Sequence, residues 1–152
     1  MVSRQNDKRE RRKDVRELVV SLDQLLFDVL KNWQEYSSLD GDKPEALILS
    51  ARIKSQVSSV PQLLHRISLA GLKLNLDNEL ILLRQQVTGG DFDSKTRKAT
   101  DFSEDRSSMI SLASLSILRC VEERYFETYP VPMTRYFDFD PAFSAILRRS
   151  TQ

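Results

Sequence analysis

Between residues 15 and 36 the apolar residues Val15, Leu22, Val29 and Tyr36 recur at heptad spacing, with Leu18 and Leu25 in one flanking row and Val19, Leu26 and Trp33 in another. That spacing gathers them on one side of an α-helix, and no strand can use it. Val20, Phe27 and Leu30 lie off the stripe. A two-stranded coiled-coil seam would leave them in water, so the pattern predicts a helix buried from two sides, the centre of a bundle.

No helix breaker separates Asn6 from this stripe, so the first helix is expected over about 7–36, with Asn6 as its cap and 37–41 as its end. Asp42, Pro44 and Glu45 then read as an N-cap, a first-turn proline and the acidic partner of a capping box. The second helix carries Ala46, Leu49, Ile53, Val57 and Val60 at helical steps and resumes with Leu64 and Ile67. Pro61 has no N–H for the preceding turn, so a kink or a restart on Ser59 is predicted there. Leu69, Leu72, Leu76, Leu80, Leu83 and Val87 continue as a third helix, with a break at 71–77 that Asp77 could recap. Leu72, Leu74 and Leu76 also alternate like a strand, but no partner strand exists to pair with them.

Gly89-Gly90 ends that helix and opens a polar connection, 89–102, expected to be mobile. Ser103, with Glu104 and Asp105 in the first turn, opens a fourth helix bearing Ile110, Ala113, Ile117 and Val121 on one face and Leu112, Leu115 and Leu118 beside it. Ser107, Ser111 and Ser114 would let a neighbouring backbone approach closely. The helix must end before Pro130. Residues 125–143 then hold seven of the twelve aromatics and three of the five prolines, and Asp140-Pro141 opens a short last helix with Phe143, Ile146 and Leu147 on one side. The fold class is therefore all-α: a bundle of four main helices, the second kinked or broken near Pro61, with a short C-terminal helix.

Composition narrows the class further. A chain of 152 residues, 40% hydrophobic and 30% charged, fits one domain, 1–152, with a real core. The longest uncharged run in an apolar pattern, 107–118, falls far short of the roughly twenty residues a membrane span requires. One cysteine excludes an internal disulfide, and no signal peptide is evident, so the cytoplasm is the expected compartment.

Charge is uneven along the chain. Seven basic residues between Arg4 and Arg16 face three acidic ones, Asp7, Glu10 and Asp14, a local +4 in a chain of net +1. Residues 1–14 thus form a basic arm continuous with the first helix. Lys8, Arg9, Arg11, Arg12, Lys13 and Arg16 could meet nucleic-acid phosphates or an anionic membrane surface. Interleaved acids and the lack of an aromatic residue for base stacking equally fit a solvated helix end. Such a cluster also marks the cytoplasmic side of a membrane anchor, which would place the chain at the inner face of a membrane.

Catalytic chemistry is hard to build from these residues. His65 is the single histidine, and Gln62 stands where a carboxylate-bridged di-iron bundle needs glutamate, so no metal or other cofactor is implied. Without a neighbouring acid or nucleophile His65 reads as a helix-surface residue, and Cys120, among apolar neighbours, as a packed thiol. Asp91-Phe92-Asp93 begins like a calcium loop, but Lys95, Thr96 and Phe102 occupy the positions of a ligand, the glycine and the bidentate glutamate. Gly89-Gly90 lacks the Lys-Ser or Lys-Thr of a phosphate-cradling loop. An enzyme would need carboxylates such as Glu122 and Glu123 converging with an arginine in a pocket.

In the aromatic tail, Tyr129, Tyr136, Phe137 and Phe139 could anchor a partner or fold back over the core. The sequence therefore points to a non-enzymatic interaction or scaffold module with no small-molecule substrate. It would act through a protein partner or self-association, as part of an oligomeric or membrane-associated assembly, and the alternative is a nucleic-acid-binding accessory protein that uses the basic arm.

Overall fold

The computed structural model describes residues 2–99 and 104–130. Four helices are found among them, and no strand: α1 (Val2–Ser37), α2 (Pro44–Leu69), α3 (Asp77–Thr88) and α4 (Glu104–Thr128). At 1.5 Å per residue the 36 residues of α1 span about 54 Å, the longest element of the fold. Its buried row is the one the periodicity marks, since Val15, Val19, Leu22, Leu26, Val29, Trp33 and Tyr36 are each at most 4% exposed. Leu18, Leu25 and Leu30 are half-buried against that core.

Three side-chain bridges set the helix directions. Asn32 donates to Gln56 of α2 at 2.9 Å, so α2 returns antiparallel along α1, and the lower ends of the pair flank a groove of about 600 Å³ where Asp14, Leu18 and Ser21 face Leu63 and Leu69. Gln34 donates to Ser107 at 3.0 Å and Arg12 donates to Tyr125 at 2.9 Å, which makes α4 antiparallel to α1 as well. α3 lies mainly on α4 and meets α2 only slightly. The core formed between the helices includes Ile53, Val60 and Ile67 of α2, Leu83 and Val87 of α3, and Ile110, Ile117 and Val121 of α4.

Several local expectations change. α1 starts ahead of Asn6, which lies inside the helix and caps nothing. At α2, Pro44 takes the first helical position, so Lys43 becomes the N-cap and no side chain caps it. Asp42 sits one residue too early, and the capping box does not form. α2 continues through Pro61 without a break, with the proline ring exposed. Ser59 hydrogen-bonds back to the Ser55 carbonyl at 2.9 Å and does not restart the helix.

The break at residue 71 does occur. Gly71 adopts φ +120, and Gly71 and Leu72 donate to the carbonyls of Ser68 and Ile67 at 3.1 and 3.3 Å, the Schellman pattern that closes a helix on a left-handed glycine. Leu72 and Leu76 then enter the core and Leu74 packs half-buried against it, so the alternating leucines are an extended link without a strand partner. Asp77 is the first residue of α3, with Leu76 in the cap position. Ser107 and Ser114 are buried on α4 whereas Ser111 is exposed. Ser103 and the expected helix after Asp140 lie outside the described residues.

The expectation that α1 is buried from two sides needs one correction. α2 and α4 do flank it, yet Val20 remains 50% exposed and Phe27 45% exposed. Of the off-stripe residues, Leu30 packs half-buried against the core and Val20 and Phe27 do not. Leu22→Ala should cost about 2–5 kcal/mol of unfolding free energy in urea titrations, whereas Val20→Ala should cost under about 1 kcal/mol. Equal losses would contradict the assigned faces.

Candidate functional site

Residues 3–11 of the basic arm are all helical and exposed. α2 ends beside residues 14–21 of α1, and α4 ends at Thr128, one turn past the Tyr125 that meets Arg12. Residues 2–8 consequently lie past the ends of α2 and α4 among the described residues. Lys8, Arg9, Arg11 and Lys13 point to water, and Lys13 makes an i,i+4 ion pair with Glu17 at 4.0 Å. Arg12 differs from its neighbours, because its Nε donates to the Tyr125 hydroxyl and its guanidinium lies 6.0 Å from that ring. It fastens α1 to α4. Arg16 is half-buried.

The helix also sorts charges that look interleaved in the sequence. Asp7, Glu10, Asp14 and Glu17 recur at steps of three and four along one flank. Arg9, Lys13 and Arg16 run along another, and Lys13, Val20 and Phe27 continue that exposed side at heptad spacing. One outward strip of α1 is therefore basic at its N-terminal end and apolar further on.

At the opposite end of α1, residues 89–99 wrap around Tyr36. The Tyr36 hydroxyl accepts from the Asp93 backbone N–H at 3.1 Å, its ring meets Phe92 at 4.8 Å, and its carbonyl accepts from Arg97 at 3.1 Å. Arg97 also donates to the Leu39 carbonyl at 2.7 Å and lies 4.1 Å from the Tyr36 ring centre. Gly41 donates to the Arg97 carbonyl at 2.8 Å, and a Cβ on Gly41 would fall 2.1 Å from the Ser94 carbonyl oxygen, so only glycine allows this approach. Arg106 of α4 closes the ring: it donates to the carbonyls of Gln86 and Gly89 at 2.8 and 2.6 Å, lies 3.9 Å from Asp91 and stands 5.7 Å from the Trp33 ring centre.

Asp93 ties the same loop to α2, because its carboxylate accepts from Ser50 and pairs with Lys54. Its φ of 71 is left-handed, a conformation that aspartate and asparagine tolerate better than most residues. Burial alone would raise this carboxyl, but hydrogen bonds from Lys54 and Ser50 and the charge of Lys54 outweigh it and hold the group below the ordinary carboxylate value. The trio fastens the loop to α2.

Asp93 and Arg97 were not legible as important in the sequence. The one available signal was Phe92, a lone large apolar residue between two aspartates in a polar stretch.

Elsewhere the candidate chemistry stays apart. His65 is exposed on α2. Burial pushes the Cys120 thiol up and the charges of Glu79 and Glu123 push the same way, so the reactive thiolate is disfavoured. Glu122 is raised by its burial, with Glu123 adding to the effect and Arg119 opposing it, yet neither glutamate lines a described cavity. Among the described residues no three metal-binding side chains converge, and no helix is long and apolar enough to cross a membrane. Of the four tail aromatics only Tyr129 is described, half-buried with its ring 5.2 Å from that of Tyr125; Tyr136, Phe137 and Phe139 lie outside the described residues. The chain matches no known protein family, no curated protein and no solved structure.

Because the Asp93 carboxyl is depressed in the fold, its contribution is present above about pH 3.9, where unfolded aspartates titrate, and is lost as the pH falls below that. Asp93→Asn should lower stability by about 1 kcal/mol at neutral pH. In urea titrations across pH the deficit should shrink toward zero in strong acid. A deficit that stays constant would show that the charge is not what matters.

Proposed function

We propose that this chain is a non-enzymatic helical interaction module: an up-and-down bundle, bent at Pro61 of α2, that acts by packing α1 against a second copy of itself. A homo-oligomer of this kind could also form the cytoplasmic part of a membrane-associated assembly. The observation that carries the reading is the outward strip of α1, where Arg9, Lys13 and Arg16 lead into the half-exposed Val20 and Phe27. The acidic flank of Asp7, Glu10, Asp14 and Glu17 supplies the complement. A parallel copy related by a two-fold axis along the helices can set the basic flank of one α1 against the acidic flank of the other. The apolar positions would then leave water together, which drives association while the charges fix its register.

Sedimentation equilibrium tests this reading. A dimer is expected that strengthens with protein concentration and weakens with added salt. Val20→Asp and the double change K13E/R16E should each leave a monomer, and mixing K13E/R16E with D14K/E17K should restore a mixed dimer. A strict monomer into the millimolar range at low salt would end the proposal.

A second reading rests on the exposure of Lys8, Arg9, Arg11 and Lys13 along one projecting helix, which suits nucleic-acid phosphates. It predicts generic duplex or single-strand binding whose log affinity falls linearly with log salt, and a shallower slope when Lys8, Arg9, Arg11, Arg12 and Lys13 become alanine. Absence of binding at low salt would remove it. Anionic vesicles offered in the same titration separate a membrane surface from a nucleic acid.

A further inference from the structure

We propose that the cavity beside the C-terminal end of α1 binds a phosphoryl group. The cavity holds about 120 Å³ and is walled by Trp33, Tyr36 and Phe92, with Arg97 and Arg106 on the same lining and Asp91 beside them. Arg97 is only 9% exposed. One of its terminal nitrogens is spent on the carbonyls of Tyr36 and Leu39, and its buried Nε finds no acceptor among the described residues. Among those residues no carboxylate lies within ion-pair distance of it either.

A guanidinium removed from water without a counter-charge is costly, and capping two carbonyls requires no net charge. An anion in the cavity would meet the orphaned donor and the charge together. Aromatic contacts already fix both cations, with Arg97 4.1 Å from the Tyr36 ring centre and Arg106 5.7 Å from that of Trp33. On the lining, Asp91, 3.9 Å from Arg106, is one carboxylate beside two guanidiniums. The Arg97 guanidinium from the loop suits the oxygens of a tetrahedral dianion, and the positive charge of Arg106 on α4 adds to the attraction. The volume lies below the roughly 300–1,000 Å³ of sites that enclose a whole small molecule, so the ligand enters by its phosphoryl group and leaves the rest outside. The cavity is remote from the outward strip of α1, and its ligand does not depend on self-association.

Trp33 is the only tryptophan in the chain and lines the cavity, so its emission reads occupancy directly. Inorganic phosphate and O-phosphoserine should each be titrated at constant ionic strength against sodium chloride. A saturable change in Trp33 emission with a raised melting temperature is expected, and it should be absent with chloride. Asp91→Asn, which removes the competing carboxylate, should tighten binding by about threefold to tenfold, and Arg97→Lys, which keeps the charge but loses the fork, should weaken it about tenfold or more.

Since Arg97→Lys also loosens the loop, Asp91→Asn is the independent arm: its carboxylate holds no helix end. Saturation by both ligands supports a site satisfied by free phosphate, and saturation by O-phosphoserine alone supports one that reads a phosphorylated partner. No saturable response to either ligand, or unchanged affinity in Asp91→Asn, overturns the proposal.

Discussion

Burial of one row of α1 is the constraint on which the other elements depend. From Val15 to Tyr36 the row presents a continuous apolar surface, and α2 and α4 lie antiparallel along it because their own apolar faces have no comparable surface to cover. Each of those side chains is worth about 1.5–3 kcal/mol when removed from water, so slipping either neighbour along α1 would expose several at once. The row ends on Tyr36, which has both an apolar ring and a polar tip. That combination lets the α3–α4 connection dock there, through its ring on Phe92 and Arg97 and its hydroxyl on the Asp93 N–H. Core and loop are therefore joined at one residue.

α1 carries a second face whose features are not explained by the core. Among the described residues its first turns pass the ends of α2 and α4, and on the helix the mixed charges of the arm separate into an acidic flank and a basic one. A run that reads as nearly balanced along the chain becomes a surface with direction, and directional charge is what lets an interface choose one register among many. Arg12 marks the boundary between the two roles: it belongs to the basic run in sequence, but in the fold it grips Tyr125.

What could be read from residues alone follows the range of the forces involved. The apolar rows of α1, α2 and α4 were visible because helical periodicity is a property of neighbours three and four apart, and the break at Gly71 was visible because the left-handed residue that closes a helix is most often glycine. Helix starts were less legible: Asp42 and Glu45 have the right spacing for a capping box, but Pro44 moves the first turn by one residue. Pro61 was read as a kink or a restart because its missing N–H weakens one bond, and the restart does not occur: α2 runs on, with Val57, Val60, Leu64 and Ile67 packed in the core on both sides of it.

The loop was the hardest part. Arg97 acts on backbone carbonyls about 60 residues earlier in the chain, and every residue has such a carbonyl, so no side-chain spacing could announce the pairing. Gly41 falls in the 37–41 stretch that ends the first helix, and nothing beside it in sequence announces the approach of Ser94. Val20 and Phe27 misled in the opposite sense, since apolar residues off a stripe suggested a second buried side and instead lie half in water.

The account places two opposite demands on α1, a row that never opens and an outer strip that closes on a partner. Hydrogen exchange followed amide by amide at low and high protein concentration addresses both together. Amides of residues 15–36 should exchange only through global unfolding, those of residues 2–8 should exchange fastest within the helix, and protection over residues 9–27 should rise with concentration. Early opening of the 15–36 row, or protection over 9–27 that ignores concentration, would contradict the role assigned to α1.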